Sequence, residues 1–428
     1  MRAVTWQGMR RVSVERVPDP VIQEPTDAII RTTSTSICGS DLHVYAVLAH
    51  FLGRGDILGH EAMGVVEDVG PAARSHVLPG DRVVIPFTIS CGHCWMCDRA
   101  LYAQCETTQN TDHGTGAALF GYSKLYGQVP GGQAEYLRVP QAQFGPIKVP
   151  EGPPDDRFVY LSDVLPTAWQ AARYADIPAG GLAAVYGLGP VGQFAARSLL
   201  LQGAERVFGV DLVPERLAMA RRHGVEAIHA GEVDDVPAYI KDQTAGRGPH
   251  GVIDAVGMEA HGNLVTRLGQ NAAASMPRPL SRKLARGLHI DNMKALHDAI
   301  DTVCRGGTVS ISGVYAGTKD PLPMMAMFDK GIQLRMGQCH VKHWIDEIMP
   351  HLEDPDDPLG TEDIASHYLP LEDAPHGYEL FEAKAEGCTK VVLQPDRTRA
   401  EVFPGGAGPL EKAAARLIGT TGSPDAAR

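Results

Sequence analysis

The run Gly187-Leu188-Gly189-Pro190-Val191-Gly192 lies between the apolar stretch Leu182-Ala183-Ala184-Val185-Tyr186 and an Ala/Leu-rich helical pattern ending at Leu201. On its own the G-x-G-x-x-G spacing says little. Set between a buried strand and a helix, it is the turn of a βαβ unit built to hold a dinucleotide. Gly187 allows the tight turn, Gly189 lets the backbone approach a pyrophosphate and Gly192 lets the helix pack closely, while Pro190 and Val191 complete the cofactor-binding turn. The next strand pattern, 206–210, ends at Asp211. A carboxylate at this distance can accept both adenosine ribose hydroxyls and would repel a 2′-phosphate, so NAD is expected rather than NADP. The alternative for Asp211 is a helix cap. Arg216, one turn further on, either reaches the ribose or lies in solvent. Strand patterns at 226–229, 251–256, 308–312 and 332–336 bring the count to six, the number a doubly wound parallel sheet requires.

Upstream the character differs. Residues 1–139 carry short β-branched runs broken by Gly, Pro and Asp, which predicts an irregular, mostly antiparallel β-domain. Within it, Ile37-Cys38-Gly39-Ser40-Asp41-Leu42-His43 and Gly59-His60-Glu61 gather a thiol, two imidazoles, a hydroxyl and carboxylates in a short span. Zinc accepts sulfur, nitrogen and oxygen donors together, so a catalytic zinc is expected here. Buried packing and capping are the structural alternatives.

A second cluster is closed. Cys91, Cys94, Cys97 and Cys105 stand at C-x2-C-x2-C-x7-C spacing and can complete a tetrahedral sulfur shell, as a structural zinc needs. An iron–sulfur cluster uses the same donors, and a zinc ribbon for nucleic acid is a further alternative. The net charge of −12 counts against a nucleic-acid surface. Of the other cysteines, Cys304, Cys339 and Cys388 read as packing residues.

At 428 residues the chain is long enough for two domains. The N-terminus begins as a strand without a secretory pattern, and no apolar run reaches membrane-span length, so a cytoplasmic protein without membrane or nucleic-acid partners is expected. Residues 258–291 interrupt the strand–helix rhythm. From Trp344 a helix leads back to short strands ending near 390–394, and residues 396–428 form an Ala/Gly/Pro/Arg-rich tail with a helical pattern around 410–417, expected to be partly disordered.

In this order, Cys38-Gly39-Ser40-Asp41, Gly59-His60-Glu61, the four cysteines and GLGPVG with Asp211 resemble the zinc-dependent medium-chain alcohol dehydrogenases over residues 1–395. Leu161-Ser162-Asp163-Val164-Leu165-Pro166-Thr167 and the segment after Gly257 most resemble the glutathione-independent formaldehyde dehydrogenases. The resemblance implies an α/β protein with a GroES-like catalytic zinc domain, 1–154 and 343–395, and a Rossmann NAD domain, 155–342. It implies two zinc ions per chain. Cys38, His60 and Asp163 would hold the catalytic one and the four cysteines the structural one. Ser40 and His43 would relay a proton, Glu61 would stand behind the metal, and Phe87 would line the substrate pocket. Hydride would pass to NAD from a zinc-bound alkoxide or aldehyde hydrate, with formaldehyde as substrate and dismutation possible if the 258–291 segment retains NAD. Polyols, amino alcohols or secondary alcohols are alternative substrates, and a non-catalytic nucleotide-binding protein is the reading outside the class. A homo-oligomer, tetramer or dimer, is expected.

Overall fold

The computed structural model describes residues 1–47, 51–257, 293–315, 322–397 and 401. The segment at 258–291 and the helical pattern at 410–417 lie outside these residues. Among the described residues, no helix is long and apolar enough to cross a membrane.

The six expected strands form one wholly parallel sheet in the order Glu226–His229, Arg206–Asp211, Leu182–Tyr186, Gly251–Asp254, Thr308–Ile311, Gln333–Met336. Strand residues alternate faces, and here both faces are apolar, as a sheet covered on both sides demands. Ala183, Val185, Val207 and Ile253 pack with residues of helices Val164–Tyr174, Pro190–Leu201 and Val341–Glu353. Ala184, Tyr186, Phe208, Val210 and Val252 pack on the other side with residues of helices Val236–Asp242 and Lys294–Thr302. Strand order reverses between Leu182–Tyr186 and Gly251–Asp254, which opens a crevice at the carboxyl ends of those strands.

A seven-stranded sheet holds the N-terminal part. It runs in the order His367–Pro370, Val391–Gln394, Ala28–Ile37, Glu61–Val69, Arg82–Ile85, Ile147–Lys148, with Tyr136–Val139 also paired to Ala28–Ile37. All its pairings are antiparallel except His367–Pro370 with Val391–Gln394, so the chain does return to this sheet after the parallel one. The returning helix begins at Val341 rather than at Trp344. Between the two sheets lie the turn Val159–Ser162 and helix Val164–Tyr174. Their buried residues share one apolar cluster with Met63, Val84 and Ile147 on one side and Ala183 and Val185 on the other. That cluster fixes the distance between the two halves of the cleft.

Candidate functional site

Three elements converge where the sheets face each other. Cys38 follows strand Ala28–Ile37, and its backbone N–H is held by Asp41 Oδ2 at 2.9 Å. Ser36 pairs with Glu61 across the ladder, so His60, just before strand Glu61–Val69, comes alongside Cys38. Asp163 stands at the N-cap of helix Val164–Tyr174, yet its side chain caps no backbone N–H. The capping position thus leaves the carboxylate free to turn into the cleft.

There Asp163 Oδ2 lies 3.4 Å from Cys38 Sγ and 3.2 Å from His60 Nε2. Ligands at zinc bond lengths in a tetrahedral shell stand about 3.2–3.8 Å apart, so these three donors fit the ion. The charges agree with the geometry. Burial, with Glu61 and Asp163 nearby, pushes the Cys38 thiol up to about 11, a cost that a divalent cation would remove. His60 Nδ1 faces Asp41 Oδ1 at 3.0 Å, which points Nε2 at the other donors. Asp41, which itself lies away from the cluster, therefore orients a ligand.

Ser40 Oγ lies 3.0 Å from His60 Nε2 on the open side of the cluster, and His43 lines the same cleft one turn later. Glu61 is fully buried and shares its Oε2 with Ser36 Oγ and Lys390 Nζ, while Oε1 has no hydrogen-bond partner among the described residues. One oxygen of each of Glu61 and Asp163 belongs to the same tight group as Cys38 and His60, all within 4.8 Å of one another. Lys390 escaped the sequence reading because it looks like the solvent end of a strand. It is completely buried, and although burial opposes its charge, Glu61 and Cys38 raise its pKa above the usual lysine value. Phe87 and Tyr122 set their rings edge-on to His60, each 6.2 Å away, and Tyr126 stands 5.5 Å behind Tyr122. Of these aromatics only Phe87 was legible in the sequence.

From this cluster a cleft of about 840 Å³ runs past Gly187, Gly189, Pro190 and Val191 to Asp211 and Arg216. The glycines differ in what they accommodate. A Cβ on Gly192 would lie 1.8 Å from the Gly187 carbonyl oxygen, and Gly187 itself has φ +86°, so both answer to the protein's own packing. A Cβ on Gly189 would meet nothing closer than Arg216 Nη1 at 3.7 Å. That cradle is open to the cleft beside the N-terminus of helix Pro190–Leu201, where a dinucleotide's pyrophosphate fits. Asp211 accepts the N–H of Leu188 at 2.6 Å on one oxygen and those of Leu212 and Val213 at 2.6 and 2.9 Å on the other. The N-cap position of the following helix is Val213, without a side-chain cap, so Asp211 does not stand at the cap. Arg216 is buried 3.8 Å from Asp211 and does not lie in solvent.

In the four-cysteine lobe, Cys91 and Cys97 sulfurs lie 4.0 Å apart and those of Cys94 and Cys105 3.9 Å apart, close to the roughly 3.8 Å edge of a tetrahedral zinc–sulfur shell. Backbone N–H groups of Cys91, His93 and Glu106 point at these sulfurs, as thiolates require. Cys339 is buried in the apolar cluster, as expected of a packing residue, and also borders the cleft.

Residues 24–151 match the family model described as alcohol dehydrogenase GroES-like domain, and residues 190–272 match that described as zinc-binding dehydrogenase. The chain is 39% identical over 400 residues, 92% of its length and 100% of the relative's, to the zinc-type alcohol dehydrogenase-like protein AdhB of Bacillus subtilis. It is 31% identical over 414 residues, 92% of this chain and 97% of the relative, to a glutathione-independent formaldehyde dehydrogenase of Pseudomonas aeruginosa. Among solved structures, alcohol dehydrogenase TADH from Thermus sp. ATN1 superposes with a TM-score of 0.76 at 34% identity, covering 92% of this chain and 99% of that one.

Proposed function

The chain belongs to the zinc-dependent medium-chain alcohol dehydrogenases, and from that membership we propose that it oxidises a small primary alcohol or aldehyde hydrate, formaldehyde foremost, without glutathione. It is an oxidoreductase that uses zinc and NAD, built from a GroES-like part and a Rossmann part. The observation that carries the finer reading is the placement of Cys38, His60 and Asp163 at one end of the cleft whose other end is the Gly189 cradle.

In this reading Cys38, His60 and Asp163 hold one zinc and Cys91, Cys94, Cys97 and Cys105 a second. Bound in the cleft, zinc supplies Lewis acidity that makes the substrate hydroxyl a stronger acid. Ser40, beside His60, accepts the departing proton by hydrogen bond, and His43 takes it onward toward solvent. Phe87, Leu119, Tyr122 and Tyr126 line that end of the cleft, exclude water and leave an apolar, ring-walled space suited to a small substrate. Asp211 would take the adenosine ribose hydroxyls and the Gly189 cradle the pyrophosphate of NAD, which would supply the hydride acceptor. Formaldehyde as substrate is supported by the formaldehyde dehydrogenase relative, and the same reading divides the chain at 1–154 with 343–395 and 155–342. The return of His367–Pro370 and Val391–Gln394 to the sheet of Ala28–Ile37 supports that division.

A homo-oligomer is part of the reading. Among the described residues, Gln333–Met336 is a sheet edge with no further strand on it, carrying exposed Leu334 and Met336, with exposed Met324, Met325 and Phe328 on the helix just before it. Such an edge needs covering. The cytoplasm is supported by eight cysteines, none of which forms a disulfide. The deciding assay follows NADH at 340 nm with formaldehyde and no glutathione: turnover supports the reading, and turnover confined to polyols or bulky secondary alcohols overturns it.

A further inference from the structure

Helix Val164–Tyr174 carries Asp163 at its start, and one buried side chain on it connects to a second part of the molecule. Gln170 is 3% exposed and all its amide bonds go to the segment just after strand Gln333–Met336. Its Oε1 accepts from His340 N at 3.0 Å and from Trp344 Nε1 at 3.1 Å, and its Nε2 donates to the Gln338 carbonyl at 3.4 Å. Three residues earlier on the same helix, Thr167 donates to Asp163 Oδ1 at 2.9 Å, and Thr167, Asp163 and Cys339 line the same stretch of the cleft. The segment 338–340 therefore holds the helix at Gln170, about two turns beyond Asp163.

On its other side the segment holds the four-cysteine lobe. His340 Nδ1 accepts the backbone N–H of Ala103 at 3.2 Å, two residues before Cys105. Burial, with His343 nearby, pushes His340 down to about 4, so the ring is neutral and Nδ1 is free to accept. Ala103 is itself fixed, its carbonyl taking the N–H of Ala117 at 3.0 Å. A continuous line of buried hydrogen bonds thus runs from the turn Tyr102–Gln104 through His340 and Gln170 to the helix that presents Asp163.

We propose that Gln170 and His340 are positioning residues that make the ligand geometry in the cleft depend on the metal state of the four-cysteine lobe. The proposal rests on the assignment of Asp163 as a cleft ligand. If the lobe loses its ion, the cysteine turns relax, Ala103 moves, and the strain reaches Asp163 through the 338–340 segment rather than dissipating in solvent. Removing a group that hydrogen-bonds a metal ligand typically changes metal affinity or activity by about 10–100-fold, and Gln170 and His340 act on Asp163 one step further away, through the helix.

The test uses the full-length protein with cobalt(II) in the cleft and zinc in the lobe, read by visible absorption and by the split of kcat from the KM for NAD. Cys97→Ser should shift the cobalt bands and lower kcat by about 10-fold or more, with the KM for NAD nearly unchanged. Gln170→Met should shift the bands in the same sense, and Cys97→Ser added to it should have little further effect. His340→Leu should behave like Gln170→Met, whereas His340→Asn, which keeps an acceptor near the Nδ1 position, should restore the wild-type bands. Should Gln170→Met fail to fold, the two His340 variants decide. Independent, additive effects of the lobe and Gln170 variants, or wild-type bands in His340→Leu, overturn the proposal. Asp163→Ala separates the two readings: unchanged bands there refute the ligand assignment itself, whereas altered bands there with wild-type bands in His340→Leu refute only the link.

Discussion

Asp163 occupies a capping position and leaves its cap unmade, with both carboxylate oxygens turned to Thr167, His60 and Cys38 instead. Asp163→Ala should therefore lower the zinc content from two ions per chain to one and abolish dehydrogenation, with little change in melting temperature, as elemental analysis beside calorimetry would reveal. Asp163→Cys keeps the charge and should keep the ion. At the other end of the cleft, Asp211→Gly should raise the KM for NAD by about 10–100-fold, equivalent to one or two charge-assisted hydrogen bonds, and relieve rejection of NADP. An unchanged ratio of the two cofactors' kcat/KM would refute its role. Cys38, His60 and the glycine turn were legible because each lies in a local motif. Lys390 and the Asp41–His60 contact were not, since their meaning arises only when strands distant in sequence pair.

The elements were legible wherever period and composition agreed. Glu226–His229 and Arg206–Asp211 emerged close to their expected bounds, whereas the strands expected at 251–256 and 308–312 stop at Asp254 and Ile311, where the chain turns into the crevice. Helix packing rests on contacts no motif announces. Arg197 of helix Pro190–Leu201 is buried against Asp363, the Leu359 and Gly360 carbonyls, and His223 joins the same carboxylate at 2.8 Å. Although burial opposes it, the His223 hydrogen bond and Arg197 charge hold Asp363 down at about 2. With the folded-state value below the unfolded one near 3.8, this stability is fully present above pH 4 and lost as pH falls through 2. Asp363→Asn should then cost about 1 kcal/mol at pH 7 after allowance for partial exposure, and the gap in urea midpoint should close on acidification. Gly192→Ala, by contrast, drives a methyl group into the Gly187 carbonyl and should unseat the helix at any pH, lowering NAD affinity in equilibrium binding.

At the scale of the molecule, the edge Gln333–Met336, which carries no further strand among the described residues, predicts self-association that light scattering would measure, and Met336→Lys with Phe328→Lys should shift the mass toward the monomer. The two donor sets differ in a way that bears on how the protein is made. The four cysteines lie within fifteen positions, 91–105, so their ion can close a local loop as soon as that stretch exists. The cleft set spans 126 positions, 38–163, and its third donor is presented only after helix Val164–Tyr174 has docked between the sheets. During synthesis the chain therefore passes through an interval in which the lobe can be loaded and the cleft cannot. Scarce zinc would be captured first by the lobe, and enzyme matured under metal limitation would be fully folded, NAD-competent and silent until the ion arrived.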